Sequence, residues 1–232
     1  MTQHGDDPIP AVAVEFAAGG CCELVWRNES GGLTFRLDDR FIKWNPRRSG
    51  IDLDRDRLRL QWLEGRHPAP RVITWGSDAE AQWLVTTVVP GGLAVGTPWR
   101  SRHREAIRAI ARGLRAIHAI AIDDFPADWT SQAWPARAPS SLGPRPELHD
   151  PVLVHGDACA PNTLISASGE WTGNVDFGDL TVGDRWADLA VASMSLDWNY
   201  GEGHQAELYQ AYGIEPDLDR IHYYRELWHL ES

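Results

Sequence analysis

The sequence predicts an α+β protein in two parts, a small N-terminal antiparallel β region carrying one helix and a larger, mainly helical C-terminal region. Three observations predict it. Short apolar or alternating runs fill the first ~90 residues, as strands do. A Pro90-Gly91-Gly92 break, followed by Gly96 and Pro98, then interrupts the chain. Beyond it apolar residues recur at helical intervals. The expected domains are therefore 1–90 and 91–232.

Taken in order, residues 11–16 and 21–27 read as strands, with Gly19-Gly20 as the turn between them. Residues 33–37 and 40–44 read as a hairpin closed by Asp38-Asp39. Over 52–64 the period changes, and leucines mixed with charges predict a surface helix that Gly65 stops. Residues 72–75 and 83–89 complete the sheet, around a turn at Gly76-Ser77-Asp78. After the break, Ile107, Ile110, Leu114, Ile117 and Ala121 define an amphipathic helix. The proline-rich stretch 124–150 reads as loop with little regular structure, a length that usually serves function. Residues 152–154, 163–165 and 174–177 read as short strands, the last two joined through Ser168-Gly169. Helices are expected over 184–198, 204–212 and 217–230, broken at Gly201, Gly203 and Gly213.

Composition narrows the function. The 232 residues carry 22 basic and 33 acidic side chains, a formal net charge of -11. That balance argues against a nucleic-acid backbone as partner, which needs clustered Lys and Arg, and suits a cationic small molecule. No apolar run approaches the ~20 residues of a membrane span. The polar, acidic start lacks the basic region of a secretory signal. Of three cysteines two are adjacent, Cys21 and Cys22, so neither a disulfide framework nor a plausible zinc site is expected. A cytoplasmic protein with no membrane partner follows, and a monomer is favoured.

The densest chemical signal is His155-Gly156-Asp157-Ala158-Cys159-Ala160-Pro161-Asn162, followed by Asp176-Phe177-Gly178. Asp157 is placed to accept or orient a hydroxyl proton. Asn162, five residues on, and Asp176 offer hard oxygens to Mg²⁺. This order of groups is the arrangement used for phosphoryl transfer. Lys43 lies in an apolar strand, where a cation is costly without a negative partner. Cys159 reads as a small buried hydrophobe rather than a nucleophile.

The stretch V-H-G-D-A-C-A-P-N-T-L-I, with N-V-D-F-G-D-L-T-V-G-D-R-W-A-D-L-A after it, resembles the aminoglycoside phosphotransferases. The resemblance covers most of the chain and implies a bilobal protein-kinase-like fold with ATP, or GTP in its place, bound between the lobes with Mg²⁺. It implies that Ser30, Gly31 and Gly32 belong to a phosphate-covering hairpin and that Lys43 holds the α- and β-phosphates. Backbone around Val88 and Val89 would bond the adenine at an interlobe hinge. Asp157 would be catalytic, Asn162 and Asp176 would hold the metal, and Asp188 would fix His155 and the catalytic loop.

Departures from the family pattern bear on substrate. The helix partner of the lysine is usually Glu, and here Asp56 takes that place, with Asp52 and Asp54 as neighbours able to share it. The segment before His155 is shorter than the family's substrate-binding insert. Acidic positions that contact amino sugars fall at Trp198, Asn199, Trp228 and His229. Asp179, Asp197, Glu202, Glu226 and Glu231 are the remaining candidates for an ammonium group. The leading expectation is an ATP-dependent O-phosphotransferase acting on an aminoglycoside. The alternatives are a kinase for another hydroxylated molecule, such as a peptide antibiotic or a metabolite, and a nucleotide-binding pseudokinase.

Overall fold

The computed structural model describes residues 9–231, with Gln132 in its backbone only. The polar start discussed above lies, up to Pro8, outside the described residues. The chain divides into two compact units, Met1–Glu64 with Pro70–Val88, and Gly65–Ala69 with Val89–Ser232.

The first unit opens with α1 (Ala11–Ala17), where a strand was expected. The alternation of Ala, Val and Phe misleads here, because Ala is the strongest helix former. On a helix Ala13, Phe16 and Ala17 share one face, and they pack against Leu33, Phe35, Leu37, Ile42 and Val85. Strands β1 (Cys22–Arg27), β2 (Leu33–Leu37), β3 (Arg40–Pro46), β4 (Val72–Ser77) and β5 (Ala81–Thr87) form one antiparallel sheet in the order β1-β2-β3-β5-β4. β4 runs on through Gly76 and Ser77, which had been assigned to a turn. Gly76 can sit in the strand because Trp83 of β5 covers the space a Cβ would occupy, 2.5 Å from the indole. Helix α2 (Leu53–Leu63) is capped by the Asp52 carboxylate, which accepts the Asp54 N–H at 2.9 Å.

In the second unit the expected amphipathic helix is α4 (His103–His118), preceded by a short α3 (Thr97–Ser101). Ile107, Ile110, Leu114 and Ile117 of α4 are all buried. Helices α6 (Arg185–Tyr200), α7 (Gln205–Tyr212) and α8 (Leu218–Glu231) follow. α6 is buried nearly all round from Trp186 to Leu196, which makes it the central post of this unit. The stretch 124–150 is more ordered than expected, with α5 (Ala127–Gln132) and single 3₁₀ turns at Trp134–Ala136 and Ser140–Leu142. Trp134 and Pro135 are buried and anchor it.

Two small sheets carry the loops of interest. β7 (Val152–Val154) pairs antiparallel with β10 (Thr181–Gly183), and β8 (Thr163–Ile165) pairs with both β6 (Gly92–Leu93) and β9 (Trp171–Asn174). The strand expected over 174–177 thus ends at Asn174. Asp176 has φ +67°, a left-handed backbone that cannot continue a strand. Among the described residues no helix is long and apolar enough to cross a membrane.

Candidate active site

Within the first unit, β3 and α2 bring Lys43 and Asp56 together, Nζ to Oδ2 at 2.6 Å. Asp56 is buried, so the lysine compensates a carboxylate removed from water. Its Oδ1 has no hydrogen-bond partner. The neighbouring acids do other things, since Asp52 caps the helix and Asp54 pairs with Arg57 at 2.8 Å. The β1–β2 turn holds Ser30, Gly31 and Gly32. The Gly31 N–H donates to the Asn28 carbonyl at 3.1 Å, and the Gly32 N–H donates to Asn28 Oδ1 at 2.6 Å. Gly31 has φ +84° and Gly32 approaches Asn45 too closely for any Cβ, so both glycines are required by the turn itself. Val88 ends the first unit and Val89 begins the second segment of the other.

In the second unit, the loop after β7 hangs on one buried carboxylate. Asp188 of α6 accepts the His155 N–H at 2.7 Å, the Gly156 N–H at 3.0 Å and His118 Nε2 of α4 at 3.0 Å. A carboxylate only accepts, so His118 donates from Nε2 and takes the Tyr212 hydroxyl of α7 on Nδ1, at 2.7 Å. The His155 ring is oriented by similar logic. Its Nδ1 accepts the Asp157 N–H at 3.2 Å, so Nε2 carries the proton and donates to the Val175 carbonyl at 3.0 Å. Gly156 has φ +86°, and a Cβ there would lie 2.2 Å from the Asp179 carbonyl oxygen. Trp134 Nε1 donates to the Gly156 carbonyl at 2.5 Å, and Ser195 Oγ accepts the Ala160 N–H at 2.8 Å.

Asn162 Nδ2 donates to the Asp157 carbonyl at 2.9 Å and to Asp157 Oδ2 at 2.8 Å. Both partners are acceptors, which fixes the amide and leaves Asn162 Oδ1 with no hydrogen bond from a described residue. Asp157 Oδ1 is itself buried and without a hydrogen-bond partner among the described residues. The Val175 N–H donates to the Asn162 carbonyl at 3.0 Å, tying the residue before Asp176 to the loop. Asp176 holds an exposed side chain on its left-handed backbone, a conformation that costs energy and is characteristic of functional positions. Asn162 Oδ1 and the Asp176 carboxylate are hard oxygen donors, of the kind that suits a divalent cation such as Mg²⁺. The Cys159 thiol is pushed up by burial first and by Asp157 second, which keeps it from acting as a thiolate.

The candidate substrate carboxylates fare differently. Asp179 lies against Gly156. Asp197 accepts from Gln205 Nε2 at 2.6 Å, Glu226 pairs with His222 at 3.3 Å, and Glu231 pairs with Arg137 at 2.8 Å. Glu202 is exposed. Trp198 is exposed, Asn199 bonds back to Ser195, and Trp228 packs edge-on against Trp134.

Several site residues escape a reading of the sequence. His118 and Tyr212 support Asp188 as described. His67 is buried against Phe177 and Trp171 and bonds Asn174 Oδ1 at 3.2 Å. Burial drives its pKa from 6.5 down to about 4. Only Trp134 carried a usable signal, a tryptophan beside proline in an otherwise polar stretch.

The chain is similar to known proteins. Residues 25–145 and 131–224 match the model of the phosphotransferase enzyme family. An aminoglycoside 3'-phosphotransferase of Streptomyces fradiae is 32% identical over 219 residues, covering 78% of this chain and 81% of the relative. A streptomycin 3''-kinase of Streptomyces griseus is 30% identical, covering 96% and 97%. Among solved structures, an aminoglycoside-3'-phosphotransferase of type VIII superposes with a TM-score of 0.74 at 25% identity, covering 93% of this chain and 97% of that one. An aminoglycoside phosphotransferase of Streptomyces rimosus gives 0.71 at 24% identity, covering 94% and 96%. A family match that spans both units, on a chain of this α+β architecture, means that this protein belongs to the phosphotransferase enzyme family, with its kinase-like fold.

Proposed function

We propose that the protein transfers the γ-phosphoryl group of ATP to a hydroxyl of an aminoglycoside, with Asp157 receiving or orienting the hydroxyl proton. The observation that carries this reading is the state of Asp157. One carboxylate oxygen is locked by Asn162, while the other is buried with no hydrogen-bond partner among the described residues. An orphaned acceptor on a rigid loop is what a general base requires. Asp188, His118 and the His155–Val175 bond hold that loop, so the carboxylate is oriented before the acceptor arrives.

Residues 1–90 are proposed to bind the nucleotide and 91–232 to supply catalysis and the acceptor site. Lys43, held by Asp56, binds phosphate oxygens, with the Ser30-Gly31-Gly32 turn and the Val88–Val89 backbone as further nucleotide contacts. Asn162 and Asp176 would hold Mg²⁺, whose chemistry is to neutralise charge on the phosphates. The names of the relatives support an aminoglycoside acceptor, and one Streptomyces rimosus structure contains ADP and streptomycin. The net charge of -11 supports a cationic ligand. Use of ATP supports a cytoplasmic location for the proposed enzyme, and a monomer is the proposed state.

A second reading, transfer to a different hydroxylated small molecule, is favoured by one observation. Asp197, Glu226 and Glu231 already have partners within the chain, which reduces the number of candidate acids open to an ammonium group. A coupled ADP-release assay with Mg²⁺ and ATP or GTP separates the two readings, using aminoglycosides, peptide antibiotics and amino alcohols as acceptors. Release that depends on an aminoglycoside and disappears in Asp157→Asn is the expected result. Release only with another acceptor selects the second reading. Absence of release with every acceptor overturns both and leaves a nucleotide-binding module.

A further inference from the structure

Among the described residues, one cluster outside the catalytic loop has the make-up of a metal centre. His103 begins α4, His204 precedes α7 and Glu207 lies one turn into it, and their ligand atoms fall within 4.8 Å of one another. The two imidazole centroids are 4.3 Å apart and tilted by 46°. Neither imidazole makes a hydrogen bond to a described residue, and His204 does not cap its helix with its side chain. Arg104 offers a competing charge, its Nε 3.9 Å from a Glu207 oxygen on a largely exposed side chain.

We propose that His103, His204 and Glu207 bind a divalent transition-metal ion of the Zn²⁺ type, joining α4 to α7. Two imidazoles and one carboxylate form a borderline donor set that suits Zn²⁺, Co²⁺, Ni²⁺ or Cu²⁺ and discriminates against Mg²⁺ and Ca²⁺. Tetrahedral Zn²⁺ with bonds of roughly 2.1 Å brings its donors to about 3.4 Å from one another. Side-chain rotation alone closes the observed spacing, because all three residues are only half-buried. His204 and Glu207, three apart, present their donors along one helix face, and His103 supplies the third from the neighbouring helix. The positive ends of two helices oppose a cation here. Glu207 supplies the compensating charge.

The role follows from position. α4 carries His103 at its first residue and His118 at its last, about 22 Å apart along the axis. His118 already bonds Tyr212 of α7 at the far end. A metal at the near end would clamp the same two helices at both ends, and it would stabilise the second unit without touching the catalytic loop.

The test uses untagged, chelator-treated full-length protein, titrated calorimetrically with Zn²⁺ in excess Mg²⁺. The expected result is one equivalent bound, with affinity reduced about 100-fold or more in His204→Gln and in His103→Asn and retained in Asp176→Ala. Co²⁺ should give the visible absorption of a low-coordinate site in the wild type and none in the double variant. Zinc at about 100 times its Kd should raise the melting midpoint by roughly 5–10 °C in the wild type alone. The proposal is overturned by equal affinity in wild type and double variant, by loss of binding in Asp176→Ala, or by no binding.

Discussion

Replacing Asp188 with Asn removes the charge on which the catalytic loop hangs while leaving side-chain volume almost unchanged. Oδ2 accepts two of the three donors, from His155 and His118, and Oδ1 accepts the Gly156 N–H. If the amide oxygen takes the Oδ2 position, the NH₂ group faces the Gly156 N–H, donor against donor. A buried N–H left unpaired costs about 1–3 kcal/mol, and two bonds to a charged acceptor each weaken by roughly 1 kcal/mol when it becomes neutral. Asn escapes part of the penalty of burying a carboxylate, so the net loss is about 2–4 kcal/mol. Equilibrium urea unfolding at pH 7, followed by tryptophan fluorescence and far-UV circular dichroism, measures it. Coincident transitions from the two probes justify a two-state fit. A loss below about 1 kcal/mol would refute the view that Asp188 is the anchor of this loop.

Four further outcomes are expected. Gly156→Ala places a Cβ 2.2 Å from the Asp179 carbonyl oxygen at φ +86°, and should cost at least ~2 kcal/mol in the same unfolding experiment. Lys43→Met leaves the buried Asp56 carboxylate without its 2.6 Å partner, so the loss should be about 3 kcal/mol. The Lys43→Met/Asp56→Leu double variant should recover part of that loss, as a double-mutant cycle reports. His67 binds protons less readily folded than unfolded, with a pKa of about 4 against 6.5. The unfolded state therefore takes up more protons between those values, and stability falls as pH drops through that window by up to about 3 kcal/mol. Urea midpoints from pH 7 to 4.5 should show a shallower decline in His67→Gln, and an identical slope would contradict the assignment. Trp134→Phe removes the indole donor to the Gly156 carbonyl; its measured kcat should fall with the unfolding midpoint lowered by no more than about 1.5 kcal/mol equivalent.

The residues that do local work were readable from the chain. Ile107, Ile110, Leu114 and Ile117 announce α4 because one face of a helix must be buried. Asp157, Asn162 and Asp176 mark the proposed site in the sequence through residue type and spacing. Asp56 as the partner of Lys43 was also readable, though only structure shows that Asp52 and Asp54 are occupied elsewhere. What was not readable depends on long separations. His118 meets Tyr212 and Asp188 at 94 and 70 residues, and His67 meets Asn174 at 107. A buried histidine gives no sequence pattern that names its partner. The two-residue β6 is too short for a period to register, and β10, Thr-Val-Gly, lacks the continuous apolar run that marks Val-Leu-Val of β7. In α1, local alternation pointed to a strand, whereas packing of Ala13 and Phe16 on the sheet decided for a helix. At Asp176 the left-handed backbone belongs to the loop geometry, and an aspartate beside phenylalanine and glycine does not reveal it.

The central claim concerns Asp157, and the most direct measurement is kcat for phosphoryl transfer to the best acceptor, wild type against Asp157→Asn. The amide keeps the size of the side chain but cannot take a proton. If Asp157 receives or orients the acceptor hydroxyl, kcat should fall by about 10²–10⁴-fold, with the unfolding midpoint and nucleotide affinity close to wild type. Turnover within a few-fold of wild type in the folded variant would contradict the account.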